Sequence, residues 1–348
     1  MPLPIKRIFV YGFPGKYGGA GTELHHQVIV WLHMGLDVNI IPSNPQFSFE
    51  PLFSEMIERG VKVHNCNDWS KIHEGDPIIG FCNSEFLESL PDIRLHTRRT
   101  IFVNCMTWIF PKERLAMSNG QIAMFLYQNS DIMLKHEAEL KALNRDPEIR
   151  FATFRPYFCF EHFPFQQNRD DAVLGCGRIS RQDADKYSKN TLHIYEYFVS
   201  PKWKQGLFLG FDDRSEAKIG KPYDWIRVAP DHNELSQQEF YCHCDIVLQP
   251  SDTTENWPRI GFEAMSSGSV LIVDNRGGWK QQIIHGKTGW LCDHERDFIF
   301  YASKMSYEPN LRADMAEAAR IRARDLAGLN VSIESWQNVF ESMAKLPS

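Results

Sequence analysis

The strongest constraint on the fold is an alternation of short apolar runs with helical segments that passes through the chain twice. In the first half the apolar runs lie at 5–11, 37–41, 61–63, 77–81, 100–103 and 122–127. Helical patterns fill the gaps. One carries Leu24, Val28, Trp31 and Leu32 on a single face, and another covers 131–143 with a polar outer face. Strands that alternate with helices in this way build a parallel, doubly wound sheet. The pattern stops around 155–165, where two prolines and many aromatics lead into the polar stretch 166–171. It resumes at 172–177 and continues through a helix at 190–199, strands at 206–209 and near 225–228, and a helix from Ser236. Strands at 245–251 and 269–273 follow. The tail, 308–345, reads as helix with a break at 328–330. Two α/β domains are expected, 1–160 and 161–330.

The length of 348 residues suits two domains, and a hydrophobic fraction of 43% supplies their cores. A net charge of -6 without any basic run removes nucleic acid from the expected partners. No apolar run approaches the length of a bilayer span. The first ten residues lead straight into a strand without a signal-peptide core, and the eight cysteines follow no framework spacing. A cytoplasmic protein with reduced thiols is expected. Cys242-His243-Cys244 has no second ligand cluster after it, and reads as a helix end entering a strand rather than as a metal site.

Three stretches carry polar chemistry. The richest is 252–268, D-T-T-E-N-W-P-R-I-G-F-E-A-M-S-S-G, with Glu255 and Glu263 eight residues apart. It lies between two buried runs, so the pair sits at the carboxyl end of a strand, where open α/β sheets place ligands. A loop carboxylate followed by a helix-borne one gives two fixed acceptors for the hydroxyls of a sugar or a ribose. The second stretch is the glycine-rich loop 12–21. Its backbone suits phosphate or a carbohydrate oxygen at the start of the next helix, which Thr22 can cap. Gly18-Gly19-Ala20-Gly21 matches neither the dinucleotide fingerprint nor the P-loop. Glu23 reads equally well as a cleft residue or as a first-turn acid favoured by the helix dipole. The third stretch is Gly175-Cys-Gly-Arg-Ile-Ser-Arg181, with Lys186 and Lys189 downstream. A strand running into Arg178 puts a guanidinium at the sheet's carboxyl edge, and an Arg with a nearby Lys can neutralise a diphosphate. Asp183 and Asp185 balance that charge, so on its own the stretch reads as a solvated basic loop.

Taken together, these pieces resemble the retaining GT-B-fold glycosyltransferases of family 4, the group 1 transferases. Glu255 and Glu263 fill an E-x7-E motif, and Phe-Glu-Ala-Met-Ser-Ser-Gly-Ser-Val-Leu-Ile resembles the family's F-E-A-M-A-x-G-x-P-V-V. Gly18 and Gly19 resemble its amino-terminal glycine pair, and Gly177-Arg178 with Lys186 its phosphate-binding Gly-Arg…Lys. Gly277-Gly278 and Gly286-Lys-Thr-Gly289 resemble its G-G…G-x-x-G tail. The resemblance implies two Rossmann-like domains facing a central cleft, with helix 331–348 packing back on the first domain. It also implies a nucleotide-sugar donor held mainly by the second domain. Arg178 and Lys186 would hold the diphosphate, Glu263 the ribose hydroxyls and Glu255 the hydroxyls of the transferred sugar. Gly18, Gly19, Gly177, Asn256, Trp257, Gly277 and Gly278 would line the donor site. The base would pack near 228–235. Neither glutamate needs a shifted pKa in these roles. No cofactor and no required metal is expected. The acceptor would be a glycan, a lipid-linked molecule or a small molecule, and peripheral membrane contact stays open.

The chain departs from the family pattern at Val103-Asn104-Cys105-Met106-Thr107-Trp108, which has no His where members often carry one. Asn104 is the expected substitute. Both Lys186 and Lys189 fit the phosphate position, Lys186 better. Asn256-Trp257-Pro258 replaces a small Gly-Phe-Gly type of turn. Two other readings stand beside the transferase: a GT-B nucleotide-sugar epimerase or phosphorylase, and a non-catalytic nucleotide-sugar-binding subunit.

Overall fold

A computed structural model describes residues 3–15, 19–166 and 172–347. Contacts divide the chain into two compact units, residues 1–158 with 327–348, and residues 159–326. The first unit runs β1 (Arg7–Tyr11), α1 (Gly19–His33), β2 (Asp37–Ile41), α2 (Phe53–Glu58), β3 (Lys62–Val63) and β4 (Ile78–Phe81). It continues with α3 (Ser84–Ile93), β5 (Thr100–Asn104), α4 (Pro111–Ser118), β6 (Met124–Tyr127), α5 (Ser130–Leu143) and β7 (Arg150–Thr153). Every pairing is parallel, in the order β3-β2-β1-β4-β5-β6-β7. The strand order reverses between β1 and β4, which makes that gap the topological switch point.

The period of two along β1 builds this unit's two cores. Ile8 and Val10 point into a layer with Val28 and Trp31 of α1, Val38 and Ile40 of β2, and Trp336, Val339 and Phe340 of a helix near the carboxyl terminus. Phe9 and Tyr11 point the other way, against Phe86 and Leu90 of α3 and Met117 of α4. With helices on both faces, the strands read as continuous apolar runs.

The second unit runs β8 (Val173–Ile179), α6 (Thr191–Tyr197), β9 (Trp203–Leu209), α7 (Asp213–Ile219), β10 (Ile226–Ala229), α8 (Gln237–His243) and β11 (Ile246–Gln249). It closes with α9 (Arg259–Ser267), β12 (Val270–Asp274), α10 (Trp279–Gln282), β13 (Trp290–Cys292), α11 (Glu295–Tyr307) and α12 (Pro309–Ala327). Its sheet is also parallel throughout, in the order β10-β9-β8-β11-β12-β13, with the switch point between β8 and β11. Both units are thus Rossmann-like. The last helix, α13 (Leu329–Ala344), starts after Gly328 and belongs to the first unit. Trp336 Nε1 donates to Gln27 Oε1 at 2.6 Å, and its ring meets Trp31 edge-on at 5.0 Å.

Several local details differ from the sequence reading. Helix α1 begins at Gly19, so Thr22 lies inside it and is not its cap. Three glycine or alanine positions read as loop are its first turn. Strands β7 and β13 and helix α7 are further elements. Both strands lie at a sheet edge and pair on one side only. One is half exposed and the other only three residues long, so neither carries the apolar signature of a central strand.

Candidate functional site

The residues of the second unit gather at the carboxyl edge of its sheet, at the switch point between β8 and β11. Gln249, the last residue of β11, donates from Nε2 to the Ile179 carbonyl at the end of β8, 2.6 Å away. This bond ties the two strand ends together and sets the spacing of the loops that leave them.

Arg178 is the sixth residue of β8 and is 2% exposed. Its guanidinium lies over the Tyr187 ring, 3.5 Å from the centroid. Nη1 donates to Ser180 Oγ at 3.2 Å, and Nη2 donates to the backbone carbonyl of Lys186. Among the described residues no carboxylate forms an ion pair with it. Burial pulls its pKa down, and the neighbouring Tyr187 and Tyr195 oppose that pull. Arg178 is therefore a buried peg under the turn that carries Lys186, not part of a solvated basic loop.

That turn is a single 3-10 turn, Ala184–Lys186, capped by Asp183 accepting from the Asp185 amide at 3.1 Å. Lys218 of α7 donates to the Ala184 carbonyl at 3.0 Å and pairs with Asp252 at 3.2 Å, so it braces the turn against the loop after β11. Lys186 Nζ lies 2.6 Å from Glu255 Oε1. Each of the two side chains keeps 24% of its surface exposed, and among the described residues each is the other's only ion-pair partner. Lys189 is exposed. The structure thus brings Arg178, Lys186 and Glu255 together from two separate stretches of sequence.

Gly277 and Gly278 hold the Glu255 loop from behind. Gly278 donates from its amide to the Glu255 carbonyl at 2.8 Å. A Cβ at Gly277, whose φ is +56°, would stand 2.3 Å from the Glu255 carbonyl oxygen, and one at Gly278 would stand 2.1 Å from that of Asn256. Only glycine permits that approach. Gly177 likewise answers to packing: a Cβ there would meet Cys244 Sγ at 2.3 Å and the Phe240 ring at 2.5 Å, so its absence lets α8 lie against β8. Asn256 and Trp257 are both 5% exposed, and the Trp257 ring packs on Phe262 of α9 at 5.8 Å.

Glu263 occupies a different environment from Glu255. It is 7% exposed in α9 and accepts from Tyr241 Oη at 3.0 Å and Gln237 Nε2 at 3.4 Å, both on α8. Burial raises its pKa to about 6, a shift that the reading of it as a plain acceptor did not anticipate. Asp274, at the end of β12, is a member of this group that the motif search missed. Its Oδ2 accepts the Ser251 amide at 2.9 Å, it lies 3.6 Å from Arg276, and burial raises its pKa to about 6. The available signal was a carboxylate closing an otherwise apolar strand, V-L-I-V-D.

In the first unit, Gly18 lies outside the described residues. Gly19 opens α1 with nothing within 4 Å of where its Cβ would stand. Glu23 is 1% exposed, accepts from Gln27 Nε2 and lies past the first turn of α1, so it is not the first-turn acid that the dipole reading expected. Asn104 does not take the place of the family's His. It is fully buried at the end of β5 and donates from Nδ2 to Glu113 at 2.9 and 3.0 Å and to the Trp108 carbonyl at 3.0 Å. Its Oδ1 accepts the Met106 amide at 2.7 Å. Its hydrogen-bonding groups fold the loop 105–108. Burial raises the Glu113 pKa to about 7. Among the described residues no cluster of His, Cys, Asp and Glu could hold a metal ion, and no helix is long and apolar enough to cross a membrane.

Comparison with known proteins agrees with the second unit's geometry. Residues 228–322, which include Glu255, Glu263, Asp274, Gly277 and Gly278, match the family described as Glycosyl transferases group 1. A D-inositol 3-phosphate glycosyltransferase of Pseudarthrobacter chlorophenolicus is 34% identical over 83 residues, 23% of this chain and 20% of that protein. The human alpha-1,3/1,6-mannosyltransferase ALG2 is 25% identical over 158 residues, 43% of this chain and 35% of that protein. The matched segments thus span about a fifth and about a third of those relatives' lengths. In fold, the chain is similar to Anabaena Alr3699/HepE, solved in complex with UDP and glucose. The TM-score is 0.73 at 12% identity, over 97% of this chain and 100% of that one. Residues 228–322 of the second Rossmann-like unit therefore match a group 1 glycosyltransferase domain, and the fold of the chain is of the GT-B type.

Proposed function

We propose that this protein is a retaining glycosyltransferase. It moves a sugar from a UDP- or GDP-sugar to a hydroxyl of a glycan, lipid or small-molecule acceptor. The observation that carries the reading is the Lys186–Glu255 pair at the switch point, a cation and a hydroxyl acceptor 2.6 Å apart and partly open to solvent. Transfer builds negative charge on the departing diphosphate. A fixed ammonium there stabilises that charge as it forms. Arg178 contributes by holding the Lys186 carbonyl, and adds the field of a buried cation. Glu255 accepts from hydroxyls of the sugar and Glu263 from those of the ribose. The likeness to a fold solved with UDP and glucose supports a nucleotide-sugar donor. No metal ion enters the proposal. The eight cysteines, scattered without framework spacing, support a reducing, cytoplasmic setting.

The test is incubation with a panel of UDP- and GDP-sugars, with nucleoside diphosphate release as the readout. Lys186→Ala is expected to lower turnover roughly 10²–10³-fold, the usual loss when one transition-state donor is removed. Its melting temperature should stay near that of the parent. A chain that binds and consumes none of these donors is not a nucleotide-sugar transferase.

A further inference from the structure

We infer that Glu255 also sets the site's preference for a nucleotide that still carries its sugar over the bare nucleoside diphosphate. The inference rests on the nucleotide-sugar reading above. Lys186 and Glu255 satisfy each other when nothing is bound, because neither has another ion-pair partner among the described residues. A diphosphate that takes Lys186 competes with Glu255 for it. The carboxylate is then left beside the incoming negative charge, at a place with few alternatives. Lys218 is engaged with Asp252 and the Ala184 carbonyl, and Arg178 with Ser180 and the Lys186 carbonyl. The Glu255 backbone cannot retreat, because Gly278 holds its carbonyl and the Gly277-Gly278 turn is in close contact behind it. Asp274 adds a second carboxylate at the same sheet edge, fixed by the Ser251 amide.

A donor sugar changes this balance. Its hydroxyls donate to Glu255 at the moment the diphosphate takes Lys186, so both partners exchange one satisfied contact for another. The bare diphosphate brings no such donors and meets an unrelieved repulsion. Discrimination arises from a penalty on the wrong ligand and not only from contacts to the right one. The same penalty would hasten departure of the diphosphate once the sugar has gone.

Titration of the full chain with UDP, GDP, UDP-glucose and GDP-mannose at fixed ionic strength tests this. Glu255→Gln removes the charge and keeps the shape. It should bind the diphosphate of the matching base roughly five- to tenfold more tightly than the parent, the size of one unit-charge repulsion at ~4 Å in water. It should not gain affinity for the matching nucleotide sugar, so the ratio between the two ligands collapses. Lys186→Gln should abolish the gain when combined with Glu255→Gln. Melting curves of each variant establish that it is folded, and Glu255→Ala, which also removes the charge, serves in place of Glu255→Gln if that variant is not. If Glu255→Gln weakens both ligands alike, or leaves their ratio unchanged, the inference is wrong while the transferase reading stands. If the parent binds none of the four, both fall together.

Discussion

At the scale of single residues, the two glutamates of the E-x7-E motif have different physical characters. Glu255 is partly open and paired with Lys186, whereas Glu263 is buried between α8 and α9 with its pKa raised to about 6. For an acid whose folded pKa is raised, the folded chain holds the proton more tightly than the unfolded chain. Its contribution to stability is therefore most favourable below the ordinary value of 4.5. It declines as pH rises from 4.5 to about 6 and is flat above that. The cost at neutral pH is about 2 kcal/mol. Glu263→Gln keeps an acceptor for Tyr241 and removes the charge. Chemical unfolding at pH 4.5 and pH 8 is expected to show the variant gaining about 1–2 kcal/mol on the parent between the two. Nucleotide-sugar turnover should fall in the same variant, since a group kept at a stability cost in a binding site is one whose removal favours the fold over the function. Nothing in the sequence disclosed this difference. Glu255 and Lys186 are 69 residues apart, and only the β8–β11 pairing makes them neighbours.

At the scale of elements, the glycines of the second unit act through packing. Gly278→Ala places a methyl group about 2 Å from the Asn256 carbonyl, so the Glu255 loop must shift. A loss of about 1–3 kcal/mol is expected from such overcrowding, measured by thermal or denaturant melting, together with weaker donor binding. Gly277→Ala adds the strain of a left-handed backbone and should cost at least as much. The motif Gly277-Gly278 was visible in the sequence, but the packing it serves was not. The close contact runs to Glu255 and Asn256, some twenty residues earlier in the chain. Central strands were readable because both of their faces are buried: 37–41 was expected and Asp37–Ile41 found. Edge strand β7 escaped because half of it faces water, and α7 because D-R-S-E-A-K-I is seven residues with little apolar periodicity. The start of α1 was misplaced because glycine read as loop, although helix-compatible backbone is open to it at an exposed first turn.

At the scale of the whole molecule, the chain is two units whose cores are separate in space but interleaved in sequence. Residues 159–326 contain every strand and core cluster of the second unit. Expressed alone, they should melt cooperatively and keep nucleotide binding. Residues 1–158 lack Trp336, Phe340 and Met343, three large side chains buried in the first unit's core. At about 3–5 kcal/mol for each large buried side chain lost, the deficit is roughly 10 kcal/mol, comparable with the stability of an ordinary domain. That fragment is expected to show no cooperative transition, and addition of a peptide spanning 327–348 should restore one. Circular dichroism melts of the three pieces check this. Recovery of a sharp melt by 1–158 unaided would show that α13 is an accessory.

The position of α13 also fixes an order of events at the ribosome. The strands and helices made first are the ones that wait longest, because the helix that closes over Trp31 and Phe154 is translated after all of 159–326. The second unit can reach its native state while the first still exposes an apolar seam. In most multidomain chains the domains fold as units, the amino-terminal one first during synthesis. Here that sequence is inverted, and the nascent first half needs protection until α13 has been made.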